Sequence, residues 1–229
     1  MKYSSFEEII SVDRMTRFLG ACGGDSRKGR ILYRYDLTLS CEMFKIISYF
    51  EVALRNRIDR TLKSCYGNDW LRDSCLPGGI FDTPQTLNTR RIVEKAFKGL
   101  NDKGAYTPAK LMAEMEFGVW KYMFSGPQYV ATGQKLLSVF PDKPRTTSLH
   151  QINNRFIFNE LSHINIIRNR IAHHEPICFA ANLPIKSVSY AQQEYLRILK
   201  LFSWMGIDGP GLLFGNDHVK QICTIIRCL

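Results

Sequence analysis

Apolar residues recur every three or four positions along most of this chain, and no two-residue alternation runs over a useful length. That spacing predicts helices throughout, hence an all-α fold. Two overlapping capping boxes, Ser4 with Glu7 and Ser5 with Glu8, precede Ile9, Ile10, Met15 and Leu19 and predict a short helix stopping at Gly23-Gly24. From about Asp36, the residues Leu39, Met43, Ile46, Ile47, Phe50, Leu54, Ile58 and Leu62 form one stripe along a helix of about seven turns, ended by Gly67. Pro77, Gly78, Gly79 and Pro84 mark residues 68–84 as an irregular connection. Helical spacing resumes at Leu87 and is punctuated by Gly104. Thr107-Pro108 then caps and opens a helix running through Leu111, Met115, Trp120 and Phe124 to Gly126-Pro127. A shorter helix through Val130, Leu136 and Phe140 ends at Pro141. Ile152, Phe156, Leu161, Ile164, Ile167 and Ile171 line the next, which must stop near His173 because Pro176 forbids its continuation. A helix over 188–205 and a terminal one over 219–226 complete the pattern. No linker or low-complexity tract divides residues 1–229, which read as one domain.

Composition removes several classes of protein. With 229 residues, 45% hydrophobic and 23% charged, the chain is long enough for a sizeable core and too apolar to be disordered. Its longest apolar stretch, Met43 to Leu54, is interrupted by Lys45 and Glu51 and falls short of the roughly 18 apolar residues that a spanning helix needs. Glu7 and Glu8 lie where a secretory signal would have its apolar run, so a cytoplasmic protein without membrane contact is expected. The seven cysteines are scattered without a C-x-x-C pair and read as reduced thiols, with no structural metal. A net charge of +10 favours a polyanionic partner.

Positive charge and proton-transfer chemistry meet in one segment, Ile167-Arg168-Asn169-Arg170-Ile171-Ala172-His173-His174-Glu175-Pro176. On a helix Asn169 and His173 share a face, and Arg168 reaches that face with its long side chain. Arginine offers a planar fork that matches phosphate, and histidine exchanges a proton near neutral pH. Cleavage of RNA without a metal needs that inventory: an acid or base, and a cation for the charge that builds on phosphorus. The negative end of the helix dipole would bias His173 towards its protonated form. The bland alternative is that His173 and His174 merely cap the helix. A metal site of His173, His174 and Cys178 lacks a completing ligand. Trp70, Trp120, Trp204, Phe117 and Tyr122 read as core rather than base-stacking residues, and there is no phosphate-binding G-x-x-x-x-G-K-[ST] run. Upstream, Leu54-Arg55-Asn56-Arg57-Ile58 echoes Ile167 to Ile171, and the two Arg-Asn steps are expected to approach one another.

The R-N-R-I-A-H-H-E-P run resembles the arginine-polar-x-x-x-histidine motif of the HEPN superfamily, specifically its Abi-like, abortive-infection branch. Supporting likenesses are Tyr49-Phe50-Glu51-Val52-Ala53-Leu54-Arg55-Asn56, Tyr66-Gly67-Asn68-Asp69-Trp70 and Glu116-Phe117-Gly118-Val119-Trp120, together spanning residues 30–205. The resemblance implies a HEPN-like helical bundle and a metal-independent endoribonuclease of phage defence or toxin-antitoxin type, without cofactor. It also implies RNA as substrate, a homodimer with a composite active site, and an antitoxin protein as a further partner. Arg168, Asn169 and His173 match the catalytic positions. Arg55, Asn56, Arg170 and His174 are the substrate-binding candidates; Arg60 stands where a second motif would need histidine. The competing class is a non-catalytic module that binds RNA or neutralises a toxin.

Overall fold

The computed structural model describes residues 2–149, 151–180 and 183–229, and among these it shows twelve α-helices and no strand. In order they are α1 (Tyr3–Ile10), α2 (Val12–Gly20), α3 (Ser26–Tyr66), α4 (Trp70–Asp73), α5 (Leu87–Asn101), α6 (Pro108–Ala113), α7 (Phe117–Tyr122), α8 (Gly126–Ala131), α9 (Asn154–Ala172), α10 (Ser189–Trp204), α11 (Gly209–Leu212) and α12 (Val219–Cys228). The all-α class read from periodicity is the observed one. None of these helices is long and apolar enough to cross a membrane.

Local chemistry explains where the elements depart from the pattern. The expected capping boxes do not form: Ser4 and Ser5 lie inside α1, and the chain instead breaks at Ser11, at φ 89°. There Ser11 Oγ accepts the Arg14 amide and opens α2, so one expected helix becomes two. Helix α3 begins ten residues earlier than the apolar stripe, because Asp25 Oδ1 accepts the amides of Arg27 at 2.9 Å and Lys28 at 3.0 Å. Those bonds hold the Asp25 carboxyl below the usual carboxylate range. Gly29, which weakens the helical signal, is needed for packing: a Cβ there would lie 3.2 Å from Leu19 Cδ2. At 41 residues, α3 is about 60 Å long.

The expected helix over 107–124 is two, α6 and α7. Thr107 caps the first by accepting the Lys110 amide. Met115, Phe117, Val119 and Trp120 are all buried, which one continuous helix could not achieve on a single face, and the break after Ala113 reorients them. Gly126-Pro127 opens α8 rather than closing α7, with proline in its favoured first turn. Residues 68–84 are irregular in backbone yet packed: Trp70 Nε1 donates to Asp59 at 2.9 Å, and buried Phe81 is bracketed by its amide on Ser74 O and the Thr86 hydroxyl on its own carbonyl.

Packing sorts the residues into two compact units, and α3, α9 and α10 each supply a segment to both. The first unit comprises residues up to 48, 166–200 and 208–229. Phe18 is its aromatic centre, edge-on to Tyr33 and to Phe179. The second comprises residues 49–165 and 201–207. There Phe50 packs edge-on to Phe202, Gln128 Nε2 donates to Thr89 Oγ1, and Asn154 Nδ2 donates to Phe124 O. Within α3 the expected stripe from Leu39 to Leu62 is buried throughout. In α9 the buried apolar set is Ile157, Leu161, Ile164 and Ile167, joined by the Glu160 carboxylate, while Phe156, at the margin against Trp204, and Ile171, both expected on the stripe, are only half-buried.

Candidate active site

Helix α9 ends in a turn that fixes the motif residues one by one. The Glu175 amide donates to Arg170 O at 2.8 Å, and the His174 amide donates to Ile171 O at 2.9 Å. This is the Schellman closure, with His174 in the left-handed conformation at φ 57° that glycine usually supplies. The His173 amide still bonds Asn169 O at 2.9 Å, so His173 stands one turn beyond Asn169 on the same face. Asn169, His173 and His174 are exposed. Neither imidazole has a side-chain hydrogen bond among the described residues.

The two arginines differ sharply. Arg170 is committed to the turn: Nε donates to Glu175 at 3.2 Å, Nη2 donates to Pro176 O at 2.6 Å, and the guanidinium lies over the Tyr190 ring at 5.0 Å. Arg168 is half-buried and only lightly held, with Nη1 on Asn169 Oδ1 at 3.4 Å. Its Nε is buried with no hydrogen-bond partner among the described residues. A buried donor left unmade costs about 1–3 kcal/mol, so an acceptor arriving there would relieve a standing penalty. Arg55 is half-buried and Asn56 exposed in the α3 portion of the second unit, and neither side chain is hydrogen-bonded among the described residues.

The residues that hold this turn in place escaped the sequence reading. Asp36, only 3% exposed, accepts the amides of Ile177 at 2.9 Å and Cys178 at 3.1 Å, tying the end of the motif to α3. Burial raises the Asp36 carboxyl, with the two amides pulling the other way. Burial likewise pushes the Cys178 thiol up, and neighbouring Asp36 adds to the rise. Arg14 Nη1 donates to His174 O at 2.9 Å. Arg17 donates to Leu183 O and Ala180 O while lying over the Phe179 ring at 4.4 Å. The signal for Asp36 was a carboxylate in register with Leu39 and Met43 on a buried stripe. Arg14 and Arg17 gave no such sign.

A family model described as Abi-like protein matches residues 27–178, more than half of the 229. The chain belongs to the Abi-like family. No curated protein and no solved structure matches it. The Abi-like span opens within the first turn of α3 and closes at Cys178, the residue whose amide Asp36 holds. Helices α1 and α2, which carry Arg14 and Arg17, lie outside it, as do α10, α11 and α12.

Proposed function

We propose that this Abi-like protein is a metal-independent endoribonuclease of phage defence, with Arg168, Asn169 and His173 as its catalytic residues. The observation that carries this reading is the buried Nε of Arg168, without a hydrogen-bond partner among the described residues, next to exposed Asn169 and one turn from exposed His173. A scissile phosphate is the acceptor that completes it. The ribose 2′-oxygen attacks phosphorus, and its proton passes to solvent water. The bond to the 5′-oxygen breaks, and that oxygen takes up a proton from protonated His173, leaving a 2′,3′-cyclic phosphate and a 5′-hydroxyl. Arg168 stabilises the charge gained at five-coordinate phosphorus, and Asn169 orients the arginine. His174 binds RNA beside the motif, and Arg55 and Asn56 bind RNA on the second unit. Arg170 adds positive charge while its donors hold the turn. Two copies meeting at this helix end would double a sparse set of catalytic groups, so we assign a homodimer, acting in the cytoplasm and restrained by an antitoxin protein.

The test is incubation of purified protein with transfer and messenger RNA in EDTA, with analysis of product ends. Cyclic phosphate termini that disappear in Arg168→Ala and His173→Ala support the reading. Cleavage that survives His173→Ala but is lost to the chelator refutes it, and RNA binding without cleavage points to the non-catalytic module instead. Sedimentation showing only monomer, with and without RNA, would remove the dimer.

A further inference from the structure

The second unit holds a cleft of about 1120 Å³ that the chemistry at the end of α9 does not use. One wall is a face of α5, where Asn88, Ile92, Lys95 and Gly99 follow one another at helical spacing, with Lys103 in the turn just beyond its end. The other comes from α7, with Val119 and Tyr122, and continues to the start of α8. Ligand pockets for small molecules run to roughly 300–1,000 Å³. This cleft exceeds that range and follows α5, whose 15 residues extend about 22 Å.

Three independent features describe the missing occupant. First, Ile92 lines the cleft 49% exposed, and Tyr122 is 48% exposed there although its ring is tilted against Phe158 and lies under Lys121 Nζ at 4.4 Å, which leaves apolar surface open on the cleft side among the described residues. Second, glycines face it from both walls. A glycine within a helix costs about 0.5–1 kcal/mol relative to alanine and needs a reason. Gly29 has one, the close approach of Leu19; Gly99 and Gly118 do not, since a Cβ on either would meet nothing within 4 Å. Both leave room for a backbone to come close. Third, the charges are divided by element: Arg91, Lys95 and Lys103 on the α5 side, Glu114 and Glu116 between α6 and α7, none in an ion pair among the described residues.

We infer that this cleft docks an amphipathic helix of a partner protein. The helix would carry carboxylates along the edge facing Arg91 and Lys95 and cationic side chains along the edge facing Glu114 and Glu116. An apolar stripe seated on Ile92 and Tyr122 follows the recurring helix-in-groove mode. The two glutamates oppose a nucleic-acid occupant. The inference is independent of the reaction proposed for α9.

The test uses the full chain and a labelled synthetic 16-residue helix with leucines on one face, glutamates on one flank and lysines on the other. Fluorescence anisotropy should show saturable binding, and amide shifts in labelled protein should cluster on α5 and α7, including Gly99 and Gly118. Lys95→Glu, an exposed position, should weaken this peptide about tenfold and strengthen one with its flanks exchanged. Gly99→Phe should abolish binding, while Gly99→Ala raises the melting temperature and confirms that the fold does not need the gap. Absence of binding, an equal effect of Lys95→Glu on both peptides, or displacement of the peptide by a single-stranded oligoribonucleotide would each overturn the inference.

Discussion

Replacing His174 with glycine should make the protein more stable while removing a group proposed to touch substrate. His174 sits at φ 57°, where an L-residue carries about 1–2 kcal/mol of left-handed strain. Both its hydrogen bonds, the amide to Ile171 O and the carbonyl from Arg14, belong to the main chain and survive substitution. Its side chain is exposed, so no packing is lost. Against the relief stands the greater freedom of glycine in the unfolded chain, worth about 0.4–1 kcal/mol. The net gain for His174→Gly is therefore about 0–1.6 kcal/mol, centred near 0.8 kcal/mol, or about 2–3 °C in Tm at that centre for a chain of this size. His174→Ala keeps the strain and should gain nothing. Urea unfolding of the three proteins at pH 7 measures the difference, with equal slopes required so that midpoints compare directly. An alanine variant as stable as the glycine variant would refute the strain at His174, and a glycine variant less stable than the parent would show that the imidazole stabilises the turn. RNA affinity measured on the same proteins separates function from fold: a more stable His174→Gly that binds RNA less well marks a residue retained at a cost in stability.

Further outcomes follow from the same geometry. Arg168→Ala and His173→Ala should each lower the cleavage rate by about a hundred- to ten-thousandfold in single-turnover assays, whereas Arg55→Ala should weaken RNA binding and flatten its salt dependence. Asp36→Ala leaves two buried amides without an acceptor and should cost about 2–5 kcal/mol by chemical denaturation. Because burial raises the Asp36 carboxyl, its favourable protonated form is complete below the ordinary aspartate range, and that contribution is lost as pH rises through the raised value. The wild type should therefore lose stability relative to Asp36→Asn as denaturation curves are taken upward from pH 4. Gly79→Ala should be among the most destabilising changes in the 68–84 segment, since a Cβ there would lie 2.5 Å from the carbonyl oxygens of both Asp73 and Ser74.

What was legible in the sequence was what repeats locally. The stripe from Leu39 to Leu62, the Thr107 cap and the stops at Gly67 and Gly104 each depend on residues within a turn or two, and each formed as expected. Less legible was anything decided by a distant partner. The first turns of α3 look polar and carry Gly29, whose purpose appears only once Leu19 lies against it. The division between α6 and α7 comes from an apolar surface too broad for one helix face. In the α9 motif the helix end near His173 could be read from Pro176, but Asp36 lies 141 residues before the amide it accepts, and no periodicity connects the two.

That distant contact bears on how the α9 end could serve catalysis. A helix terminus ordinarily frays, and a catalytic imidazole placed there would sample positions too widely to act on one phosphate. Here the chain following the helix is tied at successive points: Arg14 on His174 O, Arg170 on Glu175 and Pro176 O, Asp36 on the amides of Ile177 and Cys178, and Arg17 on Ala180 O. Each tie uses a main-chain group or a residue other than the histidines, leaving both imidazoles without hydrogen-bonded side-chain partners among the described residues. Arg170 holds the turn so that Arg168, two residues earlier, need not. The result is a backbone tied at successive points beneath a loosely held guanidinium and two exposed rings. Such an arrangement restricts the position of the groups proposed to react while leaving their donors for a ligand, which a turn built solely for stability would instead have consumed.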